Sequence, residues 1–142
     1  MTATGAPRAL PGVPKGFRAS LLPDSRVSVS IQDMFGRPPR ESPCECERSS
    51  DVSLGQTLNL VNGPTIAEAI IHPQGLIATR TKAKATPGQL INDIFVAVLC
   101  REPSAAETKR LTKYFSDVNK TEEAAQDLMW ALINSPGFLF NR

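Results

Sequence analysis

The chain offers few of the groups from which a self-contained site is assembled. Its 142 residues hold one histidine (His72), one tryptophan and one tyrosine, and aromatic residues make up 6% of the total. Three cysteines with a single histidine fall short of a disulfide framework and of any self-contained zinc site. No Cys-x-x-Cys-His stretch occurs, so no c-type haem attaches to these residues. Long hydrophobic runs are missing too. The longest, residues 94–100, is seven residues, where a membrane span takes about twenty. The N-terminal MTATGAPRALPGVP has no apolar stretch of the signal-peptide kind. An excess of one charge is also absent. A net +2 makes no electrostatic case for nucleic acid or an anionic membrane surface. Residues 1–50 hold seven Lys/Arg against five Asp/Glu, and residues 51–142 hold nine of each.

What the chain does have is concentrated in residues 35–51, FGRPPRESPCECERSSD. Around the rigid Pro38-Pro39 step are Arg37, Arg40, Arg48, Glu41, Glu45, Glu47, Asp51 and the Cys44-x-Cys46 pair. Mixed charge at this density reads as a buried or interfacial polar network, or as part of a site. The arginines suit a bidentate clamp on a carboxylate, sulfate or phosphate. The near balance of charge favours instead an internal ion-pair network, because charges that leave water must be paired. The carboxylates would serve glycoside hydrolysis only at separations of about 5 or 6.5–9.5 Å, which a loop sequence does not fix. Catalytic residues are therefore left unassigned. Cys44 and Cys46 read as a strained, redox-active disulfide, as ligands completed elsewhere, or as structural thiols; the structural readings carry more weight. Asn59 is a further candidate for the same surface. No metal site is expected.

Around this segment the grammar changes twice. Seven of the twelve prolines lie at or before Pro43, and residues 1–34 read as a proline-rich extended arm. Val27, Val29 and Ile31 alternate with polar residues as a short strand would. From Ser53 the pattern is helical. Ser53 with Gln56 makes a capping box ahead of Leu54, Leu58 and Val61. Asn62-Gly63-Pro64 stops and restarts the chain, with Ile66, Ala67, Ile70 and Ile71 on one face. His72 to Gly75 is a turn. Thr86-Pro87 opens a helix bearing Leu90, Ile91, Ile94, Phe95, Val98 and Leu99. Ser104 with Glu107 opens another, with Leu111, Tyr114, Phe115 and Val118 inward. A third starts at Thr121, with Leu128, Met129, Leu132 and Ile133 on its apolar side. Trp130 and the final turn (Phe138, Leu139, Phe140) are expected in the core, as a lid on the bundle. The fold class is thus mainly α: an arm over 1–34, a motif loop over 35–52, and a small helical bundle over 53–142.

The strings FGRPPRESPCECERSSDVSLGQTLNLVNGPTI, INDIFVAVLCREPSAAE and DLMWALINSPGFLFNR together resemble the Domain of Unknown Function 1553 family, over about residues 20–142. The resemblance implies the C-terminal region of a large exported protein of planctomycete type, periplasmic or otherwise exported. Members of that family often carry an upstream companion domain and a haem-bearing cytochrome c segment, so haem would sit elsewhere in a parent protein and no cofactor in this chain. Two positions depart from the family's pattern. Cys100 stands where a small residue is usual, and the chain ends Asn141-Arg142 rather than Asn-His. On this reading the chain is a non-catalytic module that packs against an upstream companion through Arg37, Arg40, Glu41, Cys44, Cys46, Glu47, Arg48, Asp51 and Asn59. The alternative makes those residues half of an interdomain enzyme site, carbohydrate-active or cytochrome-linked.

Overall fold

The computed structural model describes residues 3–7, 14, 33–36 and 53–140, apart from the side chains of Thr57, Leu60, Val61 and Asn62. The described residues form seven helices in chain order: α1 (Leu54–Asn62), α2 (Pro64–Ile70), α3 (Leu76–Lys82), α4 (Pro87–Leu99), α5 (Ala105–Val118), α6 (Thr121–Ile133) and α7 (Pro136–Leu139). No strand occurs among them, so the mainly helical fold class holds. The strand pattern at Val27, Val29 and Ile31 lies outside the described residues, as does most of the expected arm. The chain divides into two compact units, one of Met1–Ala6 with Ile66–Arg142 and one of Pro7–Thr65.

The helices start where the sequence satisfies their free N–H groups. In α4, Thr86 Oγ1 accepts from the Gln89 N–H at 3.4 Å while Gln89 Oε1 accepts from the Thr86 N–H at 2.9 Å. Ser104 and Glu107 do the same for α5, as do Ser53 and Gln56 for α1. Ser135 Oγ caps α7. α6 has no side-chain cap: Lys120 precedes Thr121, its Nζ bonded to Glu123 Oε1 at 2.7 Å, and the acidic first turn complements the helix dipole.

In the larger unit, Leu90, Ile91, Ile94, Phe95 and Val98 bury one face of α4. They meet Ala124, Ala125, Leu128, Met129 and Ile133 of α6 across the most extensive pairing among the described helices. α6 also packs against α3, α5 and α7. Its two fully buried alanines let neighbouring backbones approach closely. Ile77 from α3 and Phe115 from α5 complete the centre, and Ile66 and Ile70 of α2 are buried in the same unit.

Some side chains expected inside lie at the surface. Trp130 is 41% exposed, because the inward face of α6 is already filled by its five buried residues. α7 has only four residues, so Phe138 is half-buried while Leu139 and Phe140 face solvent, and the lid is partial. Tyr114 sits at the rim, where its hydroxyl donates to Asp127 Oδ2 at 2.7 Å and its ring meets Phe115 edge-on. A phenol that keeps a polar partner belongs at such an edge. Ile71 lies just past the end of α2 and is exposed.

Polar contacts lock the connections. After α4 the chain turns through Cys100 in the left-handed region, φ 54. Arg101 then forms a two-pronged pair with Glu107, Nη1 to Oε2 at 3.0 Å and Nη2 to Oε1 at 2.8 Å, with its guanidinium 5.2 Å from the centre of the Phe95 ring. Glu107 Oε2 also accepts from the Ser104 N–H and hydroxyl, both at 2.8 Å. The Arg101 bonds first, then those from Ser104, pull the Glu107 pKa down to about 2, and the pairing raises that of Arg101.

Two predictions follow from these turns. Cys100 and Lys84 hold left-handed backbone without being glycine, at φ 54 and 55. Both Cys100→Gly and Lys84→Gly should therefore raise thermal stability, by about 1 kcal/mol each; an unchanged or lowered midpoint in thermal denaturation contradicts that geometry. The second concerns pH. The folded pKa of Glu107 lies below its ordinary 4.5, so its contribution is present above that value and is lost as pH falls toward about 2. Because the pair is exposed, Glu107→Gln should cost no more than about 1 kcal/mol at pH 6. That difference should shrink as pH falls from about 4.5 through about 2 in denaturant titrations, whereas a difference independent of pH would deny the carboxylate this role.

Candidate functional site

Of the residues proposed for a site, Arg37, Arg40, Glu41, Cys44, Cys46, Glu47, Arg48 and Asp51 lie outside the described residues, as does Glu45; Asn59 lies within them, on α1. Both flanks of the motif are visible. At its start, residues 33–36 make one turn, with the Gly36 N–H donating to the Asp33 carbonyl at 3.2 Å and Gly36 at φ 76. A positive φ there is readily met by glycine alone. After it, the Ser53–Gln56 box starts α1. The cap residue also ties the flanks together, since Gln56 Nε2 donates to the Met34 carbonyl at 2.9 Å. The chain thus enters and leaves the motif at two points bridged by one hydrogen bond. Gln56 reads in sequence only as half of a cap, and its reach to Met34 is a tertiary contact with no local signature.

Asn59 is half-buried, with its Oδ1 enclosed and unpaired. The cause is the helix stop four residues on. The Gly63 N–H donates to the Asn59 carbonyl at 2.8 Å, and a Cβ at position 63 would lie 2.6 Å from Asn59 Oδ1. Glycine is required at 63 for space, its φ of −70° being ordinary. Asn59 therefore covers the end of α1 with its oxygen turned onto the backbone. His72 fills a turn role: its Nδ1 accepts from the Gln74 N–H at 3.1 Å. No group of three His, Cys, Asp or Glu suited to a metal occurs among the described residues. No helix among them is long and apolar enough to cross a membrane.

A groove of about 480 Å³ opens in the larger unit between α3 and α4, lined by Arg80, Ala83, Lys84, Ala85, Gly88, Gln89, Asn92 and Asp93. Arg80 Nε binds Asp93 Oδ2 at 2.9 Å across it. The groove is open and its lining mixes polar and apolar surface, and it holds no serine, cysteine or histidine that would make a nucleophile–base pair. Sequence reading did not single out these residues, since their juxtaposition depends on how α3 and α4 pack.

The described geometry defines a class: a small, mainly helical module with a hydrogen-bonded clasp between the residues that flank a charged, cysteine-bearing sequence segment, and no assembled catalytic constellation among the described residues. Comparison with known families is then specific. The chain belongs to the PSD1 family, described as a protein of unknown function (DUF1553), which it matches over residues 17–115. The match takes in the whole Arg/Glu/Cys motif, Asn59, α1 through α4 and most of α5. The tail from α6 onward, which the resemblance read from sequence also covered, lies beyond it. The chain matches no curated protein and no solved structure.

Since Asn59 Oδ1 is enclosed without a donor, truncating it removes an unsatisfied acceptor. Asn59→Ala should leave stability within about 0.5 kcal/mol of the parent, while Gly63→Ala should cost more than about 1 kcal/mol by crowding Asn59. Chemical denaturation of the two variants decides the matter; a large loss in Asn59→Ala with none in Gly63→Ala would reverse the assignment.

Proposed function

We propose that this chain is a non-catalytic module of a larger exported protein, packing against an upstream companion domain through the Arg/Glu/Cys segment and the helix that follows it. The observation that carries this reading is the surface of α1. Leu54 and Leu58, one turn apart, are 75% and 54% exposed, and the helix LGQTLNLVN carries no charge. Solvent-facing helix surfaces normally carry charged or polar groups. Met34 and Phe35, at the entry to the motif, are exposed apolar residues of the same unit, and Gln56 holds the Met34 carbonyl. An uncharged helix with two leucines in water, beside a segment dense in arginine and glutamate, has the make-up of an interface with an apolar centre and a polar rim.

In this reading Arg37, Arg40, Glu41, Glu47, Arg48 and Asp51 form the rim, and Cys44 and Cys46 are structural. The exported or periplasmic location, the planctomycete-type parent and a haem group elsewhere in that parent follow from family resemblance and belong to the proposal. No observation favours the alternative of half an enzyme site.

The test is association with the companion domain expressed as a separate chain. Leu54→Asp with Leu58→Asp should leave the helical circular dichroism intact and weaken binding at least about tenfold, as loss of two buried leucines requires. Undiminished binding by the double variant, or no association of the parent chain at about 100 µM, would remove the proposal.

A further inference from the structure

α3 ends in a Schellman arrangement: the Lys84 N–H donates to the Thr81 carbonyl and the Ala85 N–H to the Arg80 carbonyl, both at 3.0 Å. The residue that turns left-handed in such an ending is ordinarily glycine. Here it is Lys84, at φ 55. A cation suits the C-terminal end of a helix, but Arg80 and Lys82 already occupy the last turn of α3, with Lys82 Nζ on the Pro73 carbonyl at 3.2 Å. A strained side chain that the local structure does not need points to a use at its position. Lys84 lines the groove between α3 and α4, and the other residues there leave donors unspent. Among the described residues Lys84 Nζ has no partner. Arg80 meets Asp93 through Nε at 2.9 Å, and neither of its terminal nitrogens donates a hydrogen bond to a described residue. Gln89 spends its Oε1 on Thr86, which leaves Nε2 without an acceptor, and the Asn92 amide forms no hydrogen bond. Two cations in the lining face one carboxylate, that of Asp93. A Cβ at Gly88 would meet nothing within 4 Å, so the groove is uncrowded there.

We propose that this groove binds a small molecule through an oxyanion: a phosphate, sulfate or carboxylate group. An oxyanion presents several acceptors to one cluster of donors, and the terminal nitrogens of a guanidinium engage two of its oxygens side by side. Asp93 holds Arg80 by Nε, which leaves that terminal edge for the ligand. Lys84 adds a second positive charge from the turn. The volume, about 480 Å³, exceeds what a bare ion fills and lies within the range of small-molecule sites. The ligand therefore carries a body beyond its anion, and the amides of Gln89 and Asn92 serve the polar groups of that body. The groove is open and the Arg80 side chain is half-exposed, so each contact is screened by water. A bare anion then binds with a Kd of the order of millimolar. The groove belongs to the larger unit, and the proposal is independent of the interface proposed for α1.

The experiment titrates the full chain, ¹⁵N-labelled, with sodium phosphate, sodium sulfate and sodium citrate in turn, at fixed pH and with sodium chloride holding the ionic strength constant. The Gly88 backbone amide and the Asn92 side-chain amide should shift and saturate, while the signals of α6 stay in place. Saturation by one of the three anions and not the others supports the proposal and identifies the oxyanion. Lys84→Gly should weaken binding about threefold or more and at the same time raise the thermal midpoint. A lysine of purely structural value would show the second change without the first. Arg80→Lys keeps the charge but loses the paired edge, and should also weaken binding about threefold. Shifts no larger than chloride produces, up to about 50 mM of each anion, would overturn the proposal. So would Lys84→Gly and Arg80→Lys variants that bind as the parent does.

Discussion

The contact between α4 and α6 holds the larger unit together. Leu90, Ile91 and Ile94 on one side and Ala124, Ala125 and Met129 on the other have no exposed surface, and Phe95, Leu128 and Ile133 are nearly as well covered. Burying a large aliphatic or aromatic side chain is worth about 1.5–3 kcal/mol, and a whole domain is stable by only about 5–15 kcal/mol. A few such residues decide whether the unit exists. The alanines set its geometry, because α6 must lie close to α4 while also touching α3, α5 and α7.

The polar chemistry of this unit sits around that seam. Arg80 with Asp93, Arg101 with Glu107 and Tyr114 with Asp127 each join separate stretches of chain at the rim. The connection entering α5 gathers several charge-assisted bonds on the Glu107 carboxylate, and its effect is to stop α4 and start α5 in a fixed geometry. Polar groups spent on turns and caps do not by themselves make a site. Among the exposed apolar side chains, the two leucines of α1 lie one turn apart on an uncharged helix, and that pairing is what supports the interface we propose.

The sequence was readable where its signals were local. Ser53 with Gln56 and Ser104 with Glu107 mark helix starts through a fixed three-residue spacing, and Thr86-Pro87 marks a third. The buried face of α4 was visible because five large residues recur at helical period. Period identifies an apolar face without saying what covers it, and there the reading diverged. Trp130 and Tyr114 were placed inside because they neighbour core positions, yet each lies at an edge. Leu54 and Leu58 do form a stripe, but one left open to water. The Gln56–Met34 clasp, the Arg80–Asp93 groove and the Thr4–Leu76 hydrogen bond join residues far apart in the chain, and no local pattern announces them. Asn59, the one motif-surface candidate within the described residues, is explained by the glycine it leans on.

Native-state hydrogen exchange tests the central claim most directly, because it measures helix by helix how much of the structure must open to release each amide. The account predicts that the central amides of α4 and α6 exchange only through global unfolding, with nearly equal opening free energies. It also predicts that those of α1, which leaves its leucines in water, exchange at a clearly lower one. Protection in α1 equal to that in α4, or early exchange from α4 and α6, would contradict it.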